Sequence, residues 1–207
     1  MVGRRVRDQA MPPRSRRKFG ASQKDRIFFA CLPEADAAAR IEALAEGLKR
    51  EKGFAGTPIL PQHLHVTLFH LGDWNGLPQP VVDLARAAAA EVAAPPFDVA
   101  FARVESFRNR TGIYPFVLSG EAAPWRPLRT ALGAALKRNG LGGAVHADDD
   151  FKPHVTLLRD ALRAKPAPTP PIAWTVRDFV LIHSLLGKTT HIHLARWPLA
   201  AMLSKAP

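Results

Sequence analysis

The tetrapeptide His-Val-Thr-Leu occurs twice in this chain, at residues 65–68 and 154–157, 89 residues apart. Chance repetition is not negligible: roughly 2 × 10⁴ position pairs, each matching with a probability of about 10⁻⁵, leave an expected count of about 0.2. The context carries more weight than the repeat itself. Both copies sit in stretches that read as strands, and each is preceded by a helical segment. Two matching lobes related by a pseudo-twofold axis follow from that arrangement. In a strand, residues i and i+2 share a face, so each copy presents a histidine beside a threonine and turns Val and Leu into a core.

The remaining pattern supports a mixed architecture. Residues 26–32 are a short apolar run bounded by charge and Pro33, which reads as a buried strand. In 34–52, Ala37, Ile41, Leu44 and Leu48 recur at helical spacing, and Gly53 closes the helix. Strand 64–71 ends at Gly72, and an Ala-rich helix opens at Pro78 and Pro80 and stops at Pro95. Strands 97–107 and 113–119 precede a helix at 125–139, where Leu128, Leu132 and Leu136 stack, and strand 153–159 follows the loop 140–150. The Ala/Pro alternation of 164–171 reads as a stiff linker, and strands 172–185 and 190–197 meet at Gly187–Lys188. Hairpins outnumber regular strand–helix–strand units. The expected class is α+β: two pseudo-symmetric lobes, each an antiparallel sheet with helices outside, and a cleft between the sheets.

Charge separates the chain into parts. Residues 1–26 hold nine of the basic residues against two acidic ones, which is +7 of the net +11 over 207 residues. Residues 1–25 therefore read as a basic, solvated tail, 26–200 as the two-lobed domain and 201–207 as a C-terminal tail. No apolar run is long enough to span a bilayer, and the charged N-terminus lacks the apolar segment of a secretory signal. The single cysteine, Cys31, excludes an internal disulfide framework and fits a reducing cytosol. The expectation is a cytoplasmic monomer.

Two imidazoles and two hydroxyls facing one cleft suit displacement at phosphorus. One histidine can accept a proton while the other donates one, because the unperturbed imidazole titrates near neutrality. Threonine hydroxyls can hydrogen-bond the non-bridging oxygens as charge builds. No cofactor and no metal is required by that chemistry.

The segments RIFFACLP (26–33), LHVTLFHLG (64–72), FKPHVTLLR (151–159) and the C-terminal stretch 179–199 resemble the bacterial and archaeal RNA 2′,3′-cyclic phosphodiesterases. These are also called 2′-5′ RNA ligases and belong to the two-histidine phosphoesterase superfamily. The resemblance implies RNA with a 2′,3′-cyclic phosphate end, or a cyclic nucleotide, as substrate and a 2′-phosphomonoester as product. It implies that His65 protonates the departing O3′ and His154 activates water, with Thr67, Thr156 and Arg159 on the phosphate. Strict alternation places Arg159 on the face opposite His154, so it has to reach round from the strand end. His70 stands where the family usually carries Phe, and His191 where it often carries Tyr. His70 and Phe151 are the candidate nucleotide contacts.

Two readings compete. The pairs His63/His65 and His191/His193 could chelate zinc with Asp148 or Asp150, although neither a helical HExxH motif nor a cysteine ligand accompanies them. A non-catalytic RNA-binding protein would use the basic tail, and retention of both complete motifs argues against it. Within the enzyme reading, end-joining to a 2′-5′ linkage is the same chemistry with an RNA 5′-hydroxyl in place of water.

Overall fold

The computed structural model describes residues 24–145 and 151–200. In chain order these form β1 (Asp25–Cys31), α1 (Ala35–Lys52), β2 (Val66–Trp74), α2 (Gln79–Ala90), β3 (Phe97–Ser106) and β4 (Tyr114–Gly120). Then come α3 (Arg126–Arg138), β5 (His154–Asp160), β6 (Ala167–Val176), β7 (Asp178–Leu185) and β8 (Thr190–Pro198). All eight strands lie in one antiparallel sheet, ordered β6-β3-β4-β5-β2-β1-β7-β8. No helix among the described residues is long and apolar enough to cross a membrane.

The α+β, antiparallel expectation holds, and the two lobes are the two halves of this sheet. Each half has four strands, with a motif strand innermost: β5, β4, β3, β6 on one side and β2, β1, β7, β8 on the other. The halves meet through a single bridge, Val66 opposite Val155, the second residues of the two repeats. Every other neighbouring pair of strands is held by five or more paired positions. A lone bridge leaves β2 and β5 free to diverge from that point, which opens a cleft at the middle of the sheet.

Helix α1 buries Ala37, Ala38, Ile41 and Ala45 and ends at Gly53, whose φ of +68° is the left-handed conformation that terminates helices. It packs against β5 and β6, the half of the sheet to which its own flanking strands do not belong. Helix α3 likewise crosses to the other half. Buried Arg129 donates to the Leu68 carbonyl of β2 and lies 4.4 Å from the Phe69 ring centroid and 4.0 Å from that of Phe151. Exchanged helices bind the halves together where the strands do not.

Two sequence readings change. Residues 167–171, read as a linker, belong to β6, which pairs only with β3 and forms one edge of the sheet. An edge strand tolerates Pro168, Pro170 and Pro171 because its outer N–H groups have no ladder to complete. The stretch 172–185, read as one strand, divides at Arg177 into β6 and β7, which lie in opposite halves.

Replacing Arg129 by Leu leaves the Leu68 carbonyl without this donor and removes a cation held between two rings. A loss of about 2–3 kcal/mol is expected, seen as a lower urea midpoint at unchanged m-value. Arg126→Ala, on the exposed face of the same helix, should stay within about 0.5 kcal/mol of the parent.

Candidate active site

A cleft of about 660 Å³ straddles the junction of the two halves. It is lined by His65, Thr67, His154, Thr156 and Arg159, and also by Arg26, Phe28, His63, His70, Ser184 and His191. The Val66–Val155 bridge fixes how the motifs face each other. Antiparallel register around it sets His65 opposite Thr156 and Thr67 opposite His154, so each imidazole confronts the other motif's hydroxyl.

Both histidines are held the same way. His65 Nδ1 lies 2.7 Å from the His63 carbonyl, and His154 Nδ1 lies 2.7 Å from the Lys152 carbonyl. A carbonyl only accepts, so each Nδ1 carries the hydrogen, and Nε2 is the ring nitrogen left with a lone pair. Burial pulls the His65 imidazole down to about 4, helped by the neighbouring cations and imidazoles. His154 is also lowered by burial, but Glu105 opposes the fall.

Arg159 reaches the cleft without bending round the strand end. The β4–β5 ladder shifts register between Phe116 and Val117: Phe116 faces Leu158 while Val117 faces Thr156, so Leu157 is an extra residue on β5. That bulge turns Leu157 and Leu158 both inward and returns Arg159 to the face of His154 and Thr156. The first motif carries the same device. Phe29 faces Phe69 while Ala30 faces Thr67, so Leu68 is the extra residue and His70 returns to the cleft face. His70 is therefore the pseudo-twofold counterpart of Arg159.

His70 does not act as a free cation there. Its Nε2 is 2.9 Å from Asp73 Oδ1, and Asp73 also receives both ends of the Arg26 guanidinium at 2.7 and 2.8 Å. Arg26, raised by that carboxylate, is the cation of this half, and its proximity to Arg159 adds to the lowering that burial imposes on the latter. The Arg159 segment is clamped from behind by Asp160, whose carboxylate accepts the backbone N–H of Gly56 at 2.7 Å and of Leu162 at 2.8 Å.

Sequence reasoning does not single out Arg26 or Ser184, and it marks His63 only as half of a metal-binding pair. Arg26 is legible all the same, because it and Phe28 share the i, i+2 spacing of a strand face. His191, marked as a departure from the family pattern, lies with its ring centroid 5.3 Å from that of His65 and 4.7 Å from that of His63. Phe151 does not line the cleft; it packs edge-on to Trp125 at 6.2 Å and under Arg129. Among the described residues no group of three or more His, Cys, Asp or Glu is placed to hold a metal ion. Asp148 and Asp150 lie outside the described residues.

In the free protein, proton NMR should show the His65 and His191 imidazoles titrating near pH 4. Titration of both near the ordinary value of about 6.5 would mean that the cleft is wetter than its walls imply.

Comparison with known proteins adds to this geometry. Residues 32–188 match the model of the 2′-5′ RNA ligase superfamily. The chain is 29% identical to the RNA 2′,3′-cyclic phosphodiesterase of Escherichia coli over 150 residues, 70% of this chain and 81% of that protein. It is 32% identical to the protein of the same name from Thermus thermophilus over 173 residues, 78% of this chain and 82% of that one. A crystal structure of a Thermus thermophilus protein superposes with a TM-score of 0.68 at 23% identity, covering 86% of this chain and 99% of the other. Two paired motifs meeting in one cleft, on this fold and with a family match over most of the chain, make it a member of the 2′-5′ RNA ligase superfamily.

Proposed function

We propose that this protein hydrolyses RNA 2′,3′-cyclic phosphate ends to 2′-phosphomonoesters by acid–base catalysis from its two motif histidines. The observation that carries this reading is the pair of Nδ1-anchored imidazoles in one cleft with two threonines and Arg159. The names of the two relatives support it. His154 Nε2 takes a proton from water as the water oxygen bonds to phosphorus. The bond from phosphorus to O3′ breaks, and His65 Nε2 delivers a proton to O3′. Thr67, Thr156 and Arg159 hold the non-bridging oxygens as charge accumulates on them. Base, acid and oxyanion partners are all side chains, so the step needs no metal.

The electrostatics set a condition on this scheme. Both imidazoles are lowered, so in the free enzyme both are neutral at pH 7, and the acid must gain its proton beside the phosphate anion. Because kcat/KM reports the free enzyme, its maximum should lie between about 4 and 6.5, with the kcat profile displaced upward. Coincident profiles centred above pH 7 would contradict the assignment.

Turnover of a 2′,3′-cyclic nucleotide should persist in EDTA; abolition with rescue by zinc would overturn the metal-free step. His65→Ala and His154→Ala should each lose at least about 10²-fold in kcat/KM, and the double variant little more than the worse single. Thr67→Ala and Thr156→Ala, each removing one hydrogen bond, should lose about tenfold. Phosphorus NMR should identify a 2′-phosphate. A 3′-phosphate would mean that the substrate lies reversed and that the two histidine roles exchange.

Gly56→Ala tests the clamp on Arg159. An added Cβ would overlap the Arg159 carbonyl oxygen, so backbone has to shift. A fall in kcat/KM at retained fold, measured by kinetics alongside circular dichroism, is expected; unchanged kinetics would show that Arg159 does not depend on this loop.

A further inference from the structure

A second cavity, of about 750 Å³, opens beside the catalytic cleft. Arg108, Lys152, Arg163 and Lys165 line it, with Glu105 as the one carboxylate. Four arginines elsewhere are ion-paired, Arg26 with Asp73, Arg138 with Glu91, Arg177 with Glu34 and Arg196 with Asp178, while single arginines such as Arg50, Arg103 and Arg126 stand without a carboxylate among the described residues. None of the four cations in this groove makes an ion pair among the described residues. Four cations gathered against a single carboxylate repel one another, and an anion entering the groove relieves that repulsion.

Its walls are fixed rather than loose. The Ala164 N–H donates to Ser106 Oγ at 3.0 Å, and the Ser106 N–H donates to the Ala164 carbonyl at 3.3 Å. This double link ties the end of β3 to the β5–β6 connection that carries Arg163 and Lys165.

The groove also adjoins the site of chemistry through His154. Phe107, in its wall, packs edge-on to the His154 ring at 4.8 Å, and the Lys152 carbonyl holds His154 Nδ1. Beyond His65, on the other side of the cleft, Phe28, His63 and His191 close the wall with rings. Positive charge therefore lines the way out on the His154 side.

We infer that this groove binds the backbone phosphates of single-stranded RNA on the 5′ side of the terminal nucleotide, so that the protein prefers oligoribonucleotides to cyclic mononucleotides. The inference rests on the function proposed above. A cyclic phosphate seated between His65 and His154 ends a chain whose remaining phosphates must leave the cleft. The cationic wall next to His154 matches their charge, and the Phe107 ring gives a base an apolar surface.

The test compares the parent with the triple variant R108Q/R163Q/K165Q on two substrates: a 2′,3′-cyclic mononucleotide and a pentaribonucleotide ending in a 2′,3′-cyclic phosphate. The variant should keep mononucleotide kcat/KM within about twofold, while its KM for the pentaribonucleotide rises at least about tenfold. The slope of log KM against log salt should flatten by about 0.7 for each phosphate that the variant no longer neutralises. An unchanged pentaribonucleotide KM and slope, or equal losses on both substrates, would overturn the inference. If the triple variant does not fold, R108Q and K165Q singly read the same slope. If the parent turns over neither substrate, the proposed function fails by itself. Anisotropy of a labelled pentaribonucleotide then decides the groove: weaker binding to the variant upholds it, and equal binding overturns it.

Discussion

The pairing of Val66 with Val155 is the contact on which the site depends. Both side chains are fully buried, each worth about 1.5–3 kcal/mol of apolar transfer, and each sits between the His and Thr of its own motif. Strand alternation converts that burial into geometry: with both valines facing the core, all four flanking polar side chains must face the cleft. A slip of one residue in either strand would bury a histidine and expose a valine, so the hydrophobic core enforces the register of the polar site. Because the bridge is single, the strands diverge from it and leave room for a substrate. The exchanged helices α1 and α3 supply the cohesion that a longer ladder would have given.

The same enclosure sets the electrostatic character of the cleft. Burial lowers His65 and His191 to about 4, and packed rings around His65 keep water from restoring the charged form. The carbonyls of His63 and Lys152 act in the opposite direction, since a bond from Nδ1–H favours the protonated ring. Each histidine is thus oriented by a group that also partly offsets its desolvation. Under the proposed hydrolysis, a phosphate anion in the cleft completes that offset and couples proton affinity to occupancy of the site.

Much of this is legible in the sequence because period-two alternation is a local rule. The shared faces of His65 with Thr67 and of His154 with Thr156 follow from it directly, and the mix of hairpins and helices gives the α+β class. Arg159 does not follow, because plain alternation through Leu157 and Leu158 contains no bulge. The signal is present even so: two consecutive apolar residues after each Thr, Leu68–Phe69 and Leu157–Leu158, cannot both face inward on a regular strand. The edge strand β6 is hidden because its prolines argue against an interior strand, and the sheet order is what shows that it has one neighbour. Phe151 is close to His154 in sequence, which suggests a place in the site, yet Arg129 and Trp125 from α3 and its entry turn hold it elsewhere. Long-range packing of that kind leaves no periodic trace.

The pseudo-twofold symmetry is broken at one informative pair, Arg159 and His70. Both are five residues after the motif histidine, and both reach the cleft through equivalent bulges. An imidazole at that position has no permanent charge, and here its Nε2 is engaged by Asp73. The first half recovers a permanent positive charge from a different strand, through Arg26 of β1, fixed in a two-point bond to the same Asp73. Asp73 thereby orients both side chains, while Arg159 in the other half carries no such carboxylate among the described residues and is lowered by burial and by Arg26. An anion between the two guanidiniums is attracted from both sides, yet of the two it is Arg159 whose charge the protein leaves uncompensated. If the proposed function holds, the strongest local demand for a phosphate oxygen therefore lies on the β5 side of the cleft, the same side as His154.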